Sequence, residues 1–363
     1  MMVFKNYRFT LFVCMLLCMI CMHCEPWVEE FEETEDAILF TASQRLAPPS
    51  SVSTMTVMDW NIRFGAGRIP WFGDSCGDRV ILTEEEVLSN LQLIADKINE
   101  IQPDIILLNE VDIESKRSAY IDEMQWLLDH THFNYGAYAS VWHVQFIPSD
   151  GLGRMNMGNA ILSRWPITEA IRIPLPPRGD QDELTKYFYL RRNILKVKID
   201  LPNVSDFYVV GVHTSAFSRD ETRKKHIDLF KAELDALDEA GAWFVAGGDL
   251  NTVPPGAERR YFCVENLCPG EDPDEKEGCD FTKEETWLQG LYDTYQSALP
   301  LDEYLANEEM YFTNTPDWGG YWQKKLDYLF TNNQWVADSD STHQEAVECS
   351  DHAPISVQWE VPQ

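Results

Sequence analysis

Short apolar runs that end on a metal- or proton-handling side chain punctuate this chain, and they constrain its fold more than any other feature. In order they are Val57-Met58-Asp59-Trp60-Asn61, Ile105-Ile106-Leu107-Leu108-Asn109-Glu110, Val209-Val210-Gly211-Val212-His213, Phe244 to Asn251, and Leu326-Asp327-Tyr328-Leu329-Phe330, with Ser350-Asp351-His352 after the last. Short apolar runs bounded by turn formers are the mark of buried sheet strands, and ligands in α/β folds gather at strand ends. The pattern predicts a sheet core with one polar site at its rim.

Helical periodicity fills the gaps between runs. Val87, Leu91, Ile94, Ile98 and Ile101 recur on one face of a helix predicted over Glu84 to Ile101, with Thr83 as N-cap and Gln102-Pro103-Asp104 as the stop. Ile227, Phe230, Leu234 and Leu237 do the same between Asp220 and Ala240, and Gly241 breaks that helix before the strand ending at Asp249. Gly158 to Ser163 and Asn193 to Ile199 read as further strands. Consecutive strands among the alternating elements favour mixed sheets over a purely parallel one. No fixed-period repeat and no Pro- or Ser-rich linker divides residues 53–361, so one domain is expected there. The Pro-, Gly- and acid-rich stretch at about 254–285 is a long loop, functional or covering.

The chain's start differs in kind. Lys5 and Arg8 precede Phe9 to Met22, in which Thr10 is the only polar residue. This suits a signal peptide over residues 1–24 and falls short of the roughly 20 residues that a membrane span needs. A secreted or periplasmic protein is expected. Cys21-Met22-His23-Cys24 lacks the small residues of an ordinary cleavage site, which keeps a lipid-bearing Cys24 as an alternative. Residues 25–52 read as an acidic leader, most simply solvated, since Glu25 to Asp36 carry seven acids and no base.

The formal charge is −31, and removing the first 24 residues takes away Lys5, Arg8 and no acid. That excludes nucleic-acid binding through a general basic surface, because Lys and Arg neutralising phosphate supply most non-specific affinity. A local cluster or bound cations could still offset the field. Cys263, Cys268 and Cys279 lie close together in the long loop, so at least one disulfide stapling it is expected in an oxidising compartment. Buried free thiols are an equal reading for Cys76 and Cys349. A zinc site is disfavoured because no His accompanies the cluster.

The six motifs together resemble the endonuclease/exonuclease/phosphatase superfamily, metal-dependent phosphoesterases that include deoxyribonuclease-like and neutral-sphingomyelinase-like enzymes. The resemblance covers about residues 53–361 and rests on all six occurring in order. It implies a four-layer α/β sandwich, two mixed β-sheets packed face to face with helices outside. It also implies hydrolysis of a phosphodiester by in-line attack of water with Mg2+, Mn2+ or Ca2+ being alternatives.

Cleaving a phosphate ester calls for a cation on the phosphoryl oxygens, a base for water and a positioned donor. By the resemblance, Glu110 and Asn61 are the metal-side pair, with Asp351 near the same site. Magnesium prefers one or two carboxylates plus water, so a sparse site is expected. His352 is then the general base and His213 the donor to a phosphoryl oxygen, imidazole being the side chain that trades protons near neutrality. Asp327 orients one imidazole, in the family usually the first. Asp249 positions water or the leaving group, and Asn251 bonds a phosphate oxygen. Asp249 and Asn251 are read as alternating along an extended segment, so that they share a face while Leu250 points to the core.

Ile62-Arg63 after Asn61 and His213-Thr214-Ser215 disfavour the DNA-repair branch. Arg63, Arg117 and Arg191 are potential phosphate or head-group contacts, each with a surface ion pair as the blander reading. His143 and His226 are read as structural as readily as functional, and His130, His132 and His343 as surface residues. Aromatics at Trp318 to Trp322 and Tyr138 to Phe146 could stack a base, touch lipid or pack in the core. Asn203-Val204-Ser205 is a glycosylation sequon that matters in a eukaryotic host. The partner expected is a phosphodiester substrate, nucleic acid or phospholipid head group, acted on by a monomer. A sphingomyelinase-like or phosphoinositide-like esterase, and a non-catalytic binding module on the same fold, are the alternatives.

Overall fold

A computed structural model describes residues 27–73, 76–147, 149–315 and 322–362. The signal-peptide region through Cys24 and the aromatic segment Trp318 to Tyr321 lie outside the described residues. Two seven-stranded mixed sheets make up the fold. The first runs in spatial order β13 (Ser341–Thr342), β14 (Ile355–Glu360), β3 (Thr54–Asn61), β4 (Ile105–Asp112), β6 (Gly153–Ser163), β5 (Tyr135–Ile147) and β2 (Ile38–Thr41). The second runs β1 (Glu35–Asp36), β7 (Ile167–Pro174), β8 (Asn193–Ile199), β9 (Phe207–His213), β10 (Trp243–Asp249), β12 (Asp327–Thr331) and β11 (Gln296–Ser297). β3 with β4 and β9 with β10 are the parallel pairs, and the other pairings are antiparallel.

Strand alternation sorts the side chains into layers. Met55, Val57, Ile105, Leu107 and Ile161 of the first sheet meet Leu195, Val197, Val209, Val245 and Leu329 of the second in a shared inner core. On the outer face of the first sheet, Met58, Trp60, Ile106 and Leu108 pack under helices α1 (Glu84–Ile101) and α2 (Glu123–His130). A short α3 (Glu183–Phe188) precedes β8, and α4 (Thr222–Glu239) covers Val210, Val212, Phe244 and Ala246 on the second sheet with Ile227, Phe230 and Leu234. The result is the four-layer sandwich. α1 begins in a complete capping box, Thr83 accepting from Glu86 N and the Glu86 carboxylate accepting from Thr83 N. Such a cap stabilises by about 1 kcal/mol. The helix ends at Gln102 in the left-handed region, φ 56°, just before Pro103.

The acidic leader departs from its reading as a solvated lead-in. Val28 bridges Val144, β1 pairs with β7 and β2 pairs with β5, so the segment adds an edge strand to each sheet while its carboxylates stay in water. A strand edge satisfies backbone groups whatever the charge of side chains that point outward. The long loop carries a small core of its own around Val253, Phe262, Cys263, Cys279 and Phe281. Disulfides Cys263–Cys279 and Cys76–Cys268 hold it, and Cys349 is buried and free. Among the described residues no helix is long and apolar enough to cross a membrane.

Candidate functional site

The parallel pairing decides where the polar run-ends meet. β3 and β4 end side by side, with Asn61 opposite Asn109, and β9 and β10 do the same, with His213 opposite Asp249. Asp327 opens antiparallel β12 directly across from Asp249. The inner-face side chains of both sheets therefore converge at one end of the sandwich. Gly248 permits this approach: it lies at φ 131°, and a Cβ there would sit 1.9 Å from the Val212 carbonyl oxygen.

A buried amide chain fixes the sheets to each other just beneath. Asn193 Oδ1 accepts from Asn159 Nδ2 (3.1 Å), Asn159 Oδ1 accepts from Asn109 Nδ2 (2.9 Å), and Asn109 Oδ1 accepts from Asp249 N (2.9 Å). These groups are inaccessible to water and would be costly to bury unpaired. Sequence reasoning missed Asn159 and Asn193, whose signal was an amide inside an otherwise apolar strand.

His352 is held on three sides. Its Nδ1 lies 2.8 Å from Asp327 Oδ2 and 3.1 Å from Oδ1, and its Nε2 lies 3.7 Å from Asp249 Oδ2. Asn314 Nδ2 sits 2.9 Å from the same Nε2. Thr313 Oγ1 accepts from Leu326 N and Asp327 N, which holds that carboxylate in place. Ser350 Oγ accepts from His352 N and donates to the Asn61 carbonyl, tying the Ser-Asp-His segment to β3. Burial pushes the imidazole down, but Asp327 and Asp249 outweigh it and bring His352 up to about 10. Asp249 is held well below the usual carboxylate range: burial opposes ionisation, and His352 and His213 overcome it. Asp327 therefore serves His352, the second of the two histidines, and not the first. The cause is register, since β12 starts beside β10 on the side away from β9.

Glu110 presents a different environment. It lies in the β4 bulge at φ 58°, an unfavourable backbone for a non-glycine, and its carboxylate is partly exposed. Asn61 Nδ2 lies 3.4 Å from Glu110 Oε1 and 3.2 Å from Asp249 Oδ2, while its oxygen accepts from Arg63 N. As placed, Asn61 is a donor to both carboxylates, and a ligand role for its oxygen requires the amide to turn over and release Arg63 N. Asp351 is partly exposed, with Oδ2 3.6 Å from Arg63 Nε. The set whose ligand atoms all lie within 4.8 Å of one another is Asp249, Asp327 and His352. In that set the imidazole already occupies both carboxylates, whereas the part-exposed Glu110 fits a hydrated, oxygen-bound cation.

His213 Nε2 points between Asp249 Oδ2 (3.3 Å) and Glu110 Oε1 (3.9 Å). Burial, reinforced by Arg192, pushes this imidazole down to about 4, so it is neutral. Arg192 is a site residue that sequence reasoning passed over in favour of its neighbour. It is buried, its NH1 has no hydrogen-bond partner among the described residues, and it acts electrostatically on His213, Glu110 and Asp249. Arg191, the residue singled out from sequence, turns outward and donates to the carbonyls of Lys186 and Tyr189. Arg117 is also no phosphate contact: it forms a buried two-bond pair with Asp112 at 2.8 and 2.9 Å. Arg63 is buried and donates to the Gly67 and Ile69 carbonyls.

Asn251 meets Asp249 by a turn and not by strand alternation. β10 stops at Asp249, Asn251 takes φ 47°, and Asp249 Oδ1 accepts from Asn251 N at 2.9 Å. Leu250 does enter the core. Of the rim aromatics, Tyr138 and Trp322 are buried, Trp142 is partly buried and donates to the Phe188 carbonyl, and Phe146 is exposed. Of His130, His132 and His343, only His130 is fully exposed.

His226 is structural. Its Nδ1 accepts from Ser215 N and its Nε2 donates to the Pro176 carbonyl, supporting the loop after His213. Burial pushes it down to about 4 from 6.5. A histidine lowered in the folded state adds stability above its unfolded value, and that stability is lost as pH falls. Thermal melts should therefore weaken from pH 6.5 toward 4, with His213 and His226 each contributing about 3 kcal/mol. His226→Asn should make this acid limb shallower, and an unaltered slope would refute the assignment.

The fold is similar to that of an endonuclease/exonuclease/phosphatase from Beutenbergia cavernae DSM 12333, at 18% identity over 85% of this chain and 72% of that chain, with a TM-score of 0.55. It is similar to an endonuclease/exonuclease/phosphatase family protein from Leptotrichia buccalis C-1013-b, at 16% identity over 84% and 98% of the two chains and a TM-score of 0.50. Humanized D. rerio TDP2 aligns at 14% identity over 85% and 100%, with a TM-score of 0.50. At such identities the likeness concerns fold. No curated protein matches the sequence. The model of the Endonuclease/Exonuclease/phosphatase family matches residues 60–352, a span that begins beside Asn61 and ends on His352, and the chain belongs to that family.

Proposed function

We propose that this chain is a secreted, magnesium-dependent phosphodiesterase in which water attacks phosphorus in line. The observation that carries the reading is the split site: an imidazole enclosed by Asp327 and Asp249 on one side, and the part-exposed Glu110 carboxylate on the other. Glu110, with Asn61 beside it, would hold the cation, and Asp351 is kept as a further ligand candidate by the family resemblance. Bound there, magnesium supplies charge neutralisation on the phosphoryl oxygens.

The chain's own groups do the rest. Asp249, kept ionised, accepts a hydrogen bond from the attacking water and takes its proton as the oxygen bonds to phosphorus, while His352, which already holds a proton, gives it to the departing oxygen. Asp327 fixes the imidazole's orientation through Nδ1. His213, whose Nε2 lies between Asp249 and Glu110, donates to a phosphoryl oxygen, with Arg192 adding positive field and Asn251 completing the oxygen contacts. Secretion is supported by the two disulfides, which persist in oxidising compartments.

The net charge of −31 favours a small or membrane-presented phosphodiester over a long polyanion. The test is purified protein with magnesium, offered plasmid DNA, sphingomyelin liposomes and a phosphoinositide. Hydrolysis of at least one is expected, and inertness toward all three removes the assignment. Chelation should stop turnover and leave the melting curve in place, because both sheets close their cores without the cation. Unfolding on chelation would point to a structural metal instead.

A further inference from the structure

Beside the catalytic centre lies a buried cation that no carboxylate among the described residues contacts as an ion pair. Lys324 is 4% exposed and makes no ion pair with a carboxylate among the described residues. Its ammonium donates to the Gln323 amide oxygen at 3.2 Å and lies 5.4 Å from the centroid of the Phe262 ring. Burying an ammonium against an amide and a ring face leaves most of its desolvation cost uncompensated. Consistent with that, burial pulls Lys324 down to about 8, even though Asp351 and Asp249 pull the other way.

Its surroundings are built rather than incidental. Gln323 donates to Asn266 Oδ1 at 3.0 Å, and Asn266 and Phe262 belong to the loop that the two disulfides hold. The same loop carries Arg259, whose guanidinium lies 4.6 Å from the same Phe262 ring. Arg259 is half-exposed and pairs with Glu265 at the surface, an exposed contact of little strength that an anion could displace. Asn314 bridges both Lys324 and His352, so the lysine stands two strand spacings, about 10 Å of backbone, from the catalytic imidazole. In a chain of net charge −31, two cations share one ring beside the site.

We propose that Lys324 and Arg259, backed by Phe262, form a second anion subsite that takes a further phosphoryl group of a small substrate. The inference rests on the phosphoesterase reading for the reaction, though not for binding. A dianion arriving at Lys324 supplies the direct ion-pair contact that no carboxylate among the described residues makes, and Arg259 closes over it from the solvent side. The substrate class is thus a small phosphodiester bearing a separate phosphomonoester. A polymer with phosphates in series is disfavoured by the overall charge.

The test compares kcat/KM for a simple aryl phosphodiester with that for the same diester carrying a phosphomonoester on its alcohol arm, using the full chain with magnesium. Lys324→Gln should lower the ratio of the two by about tenfold, mainly through KM, and Arg259→Gln by about threefold. Arg259 is half-exposed, so that variant folds even if the other does not. An unchanged ratio in both overturns the subsite. If the wild type hydrolyses neither compound, the phosphoesterase reading falls, and calorimetric titration with inorganic phosphate decides the subsite alone. Binding to wild type and to Glu110→Gln, lost in Lys324→Gln, supports it. Equal binding in all three, or none in wild type, sinks it. A ratio that responds only when an oligonucleotide supplies the extra phosphates would overturn the small-substrate assignment.

Discussion

His352→Ala should lower kcat by about a hundred- to ten-thousandfold, the range that a positioned acid–base group contributes. The loss falls on kcat because the imidazole sits behind Asp249 and Asp327, where it handles protons more than it grips substrate. Removing it also leaves two buried carboxylates facing each other without a cation, so one must take up a proton. The variant should therefore fold with a lower melting temperature. The wild-type penalty has a defined pH window. His352 is raised from 6.5 to about 10, so its contribution to stability is complete below 6.5 and disappears as pH rises through 10. Wild type and variant should converge in stability at the alkaline end. Hydrolysis by His352→Ala at the wild-type rate would refute the mechanism, and Asp327→Asn should reproduce part of the defect, since it removes only the charge that orients Nδ1.

Arg117→Met should cost about 3 to 5 kcal/mol, the usual penalty for stranding one partner of a buried pair. Asp112 is wholly buried and takes two bonds from the guanidinium plus one from the Ser118 hydroxyl at 3.0 Å. The guanidinium also covers the Phe64 ring at 3.5 Å, so methionine restores part of the volume and none of the charge. Urea denaturation reads the loss directly, and against a typical stability of about 5 to 15 kcal/mol it is large. Replacing Asp112 with Leu in the same chain should recover most of it, because the stranded Asp112 carboxylate is then gone. Asp112 ends the bulged strand that carries Glu110, so the single variant should also lose activity beyond its unfolded fraction. A loss under about 1 kcal/mol would mean that water enters and solvates Asp112.

How much of this was legible in the sequence depends on whether a residue's role is set by its own strand or by a neighbour's. Asn61, Glu110, His213 and Asp249 terminate apolar runs, and the run supplies both the strand and its end. Parallel pairing then brings those ends together, so the run pattern forecasts the convergence. Arg192 and Asn314 have no such signal: one precedes its strand and the other sits in a loop between Thr313 and Thr315, and each acquires meaning only from a facing element. Which imidazole Asp327 orients stayed open for the same reason, since strand order within a sheet is not written in any one strand. The turn at Asn251 escaped notice because Asp249 caps it through a side chain, which interrupts the alternation that the sequence suggested. The acidic lead-in escaped notice because backbone pairing at a sheet edge is indifferent to outward charge.

The paired disulfides of the long loop give the chain a particular resistance to cutting. Cys263–Cys279 closes a ring around the acidic tip, and Cys76–Cys268 anchors that ring to the segment following β3. A protease that nicks the tip once between Cys268 and Cys279 leaves every fragment covalently joined, with Phe262 and its neighbours still in place. Two chains on a reducing gel would run as one on a non-reducing gel. One cut in this acidic loop thus leaves the small core around Phe262 covalently tethered on both sides.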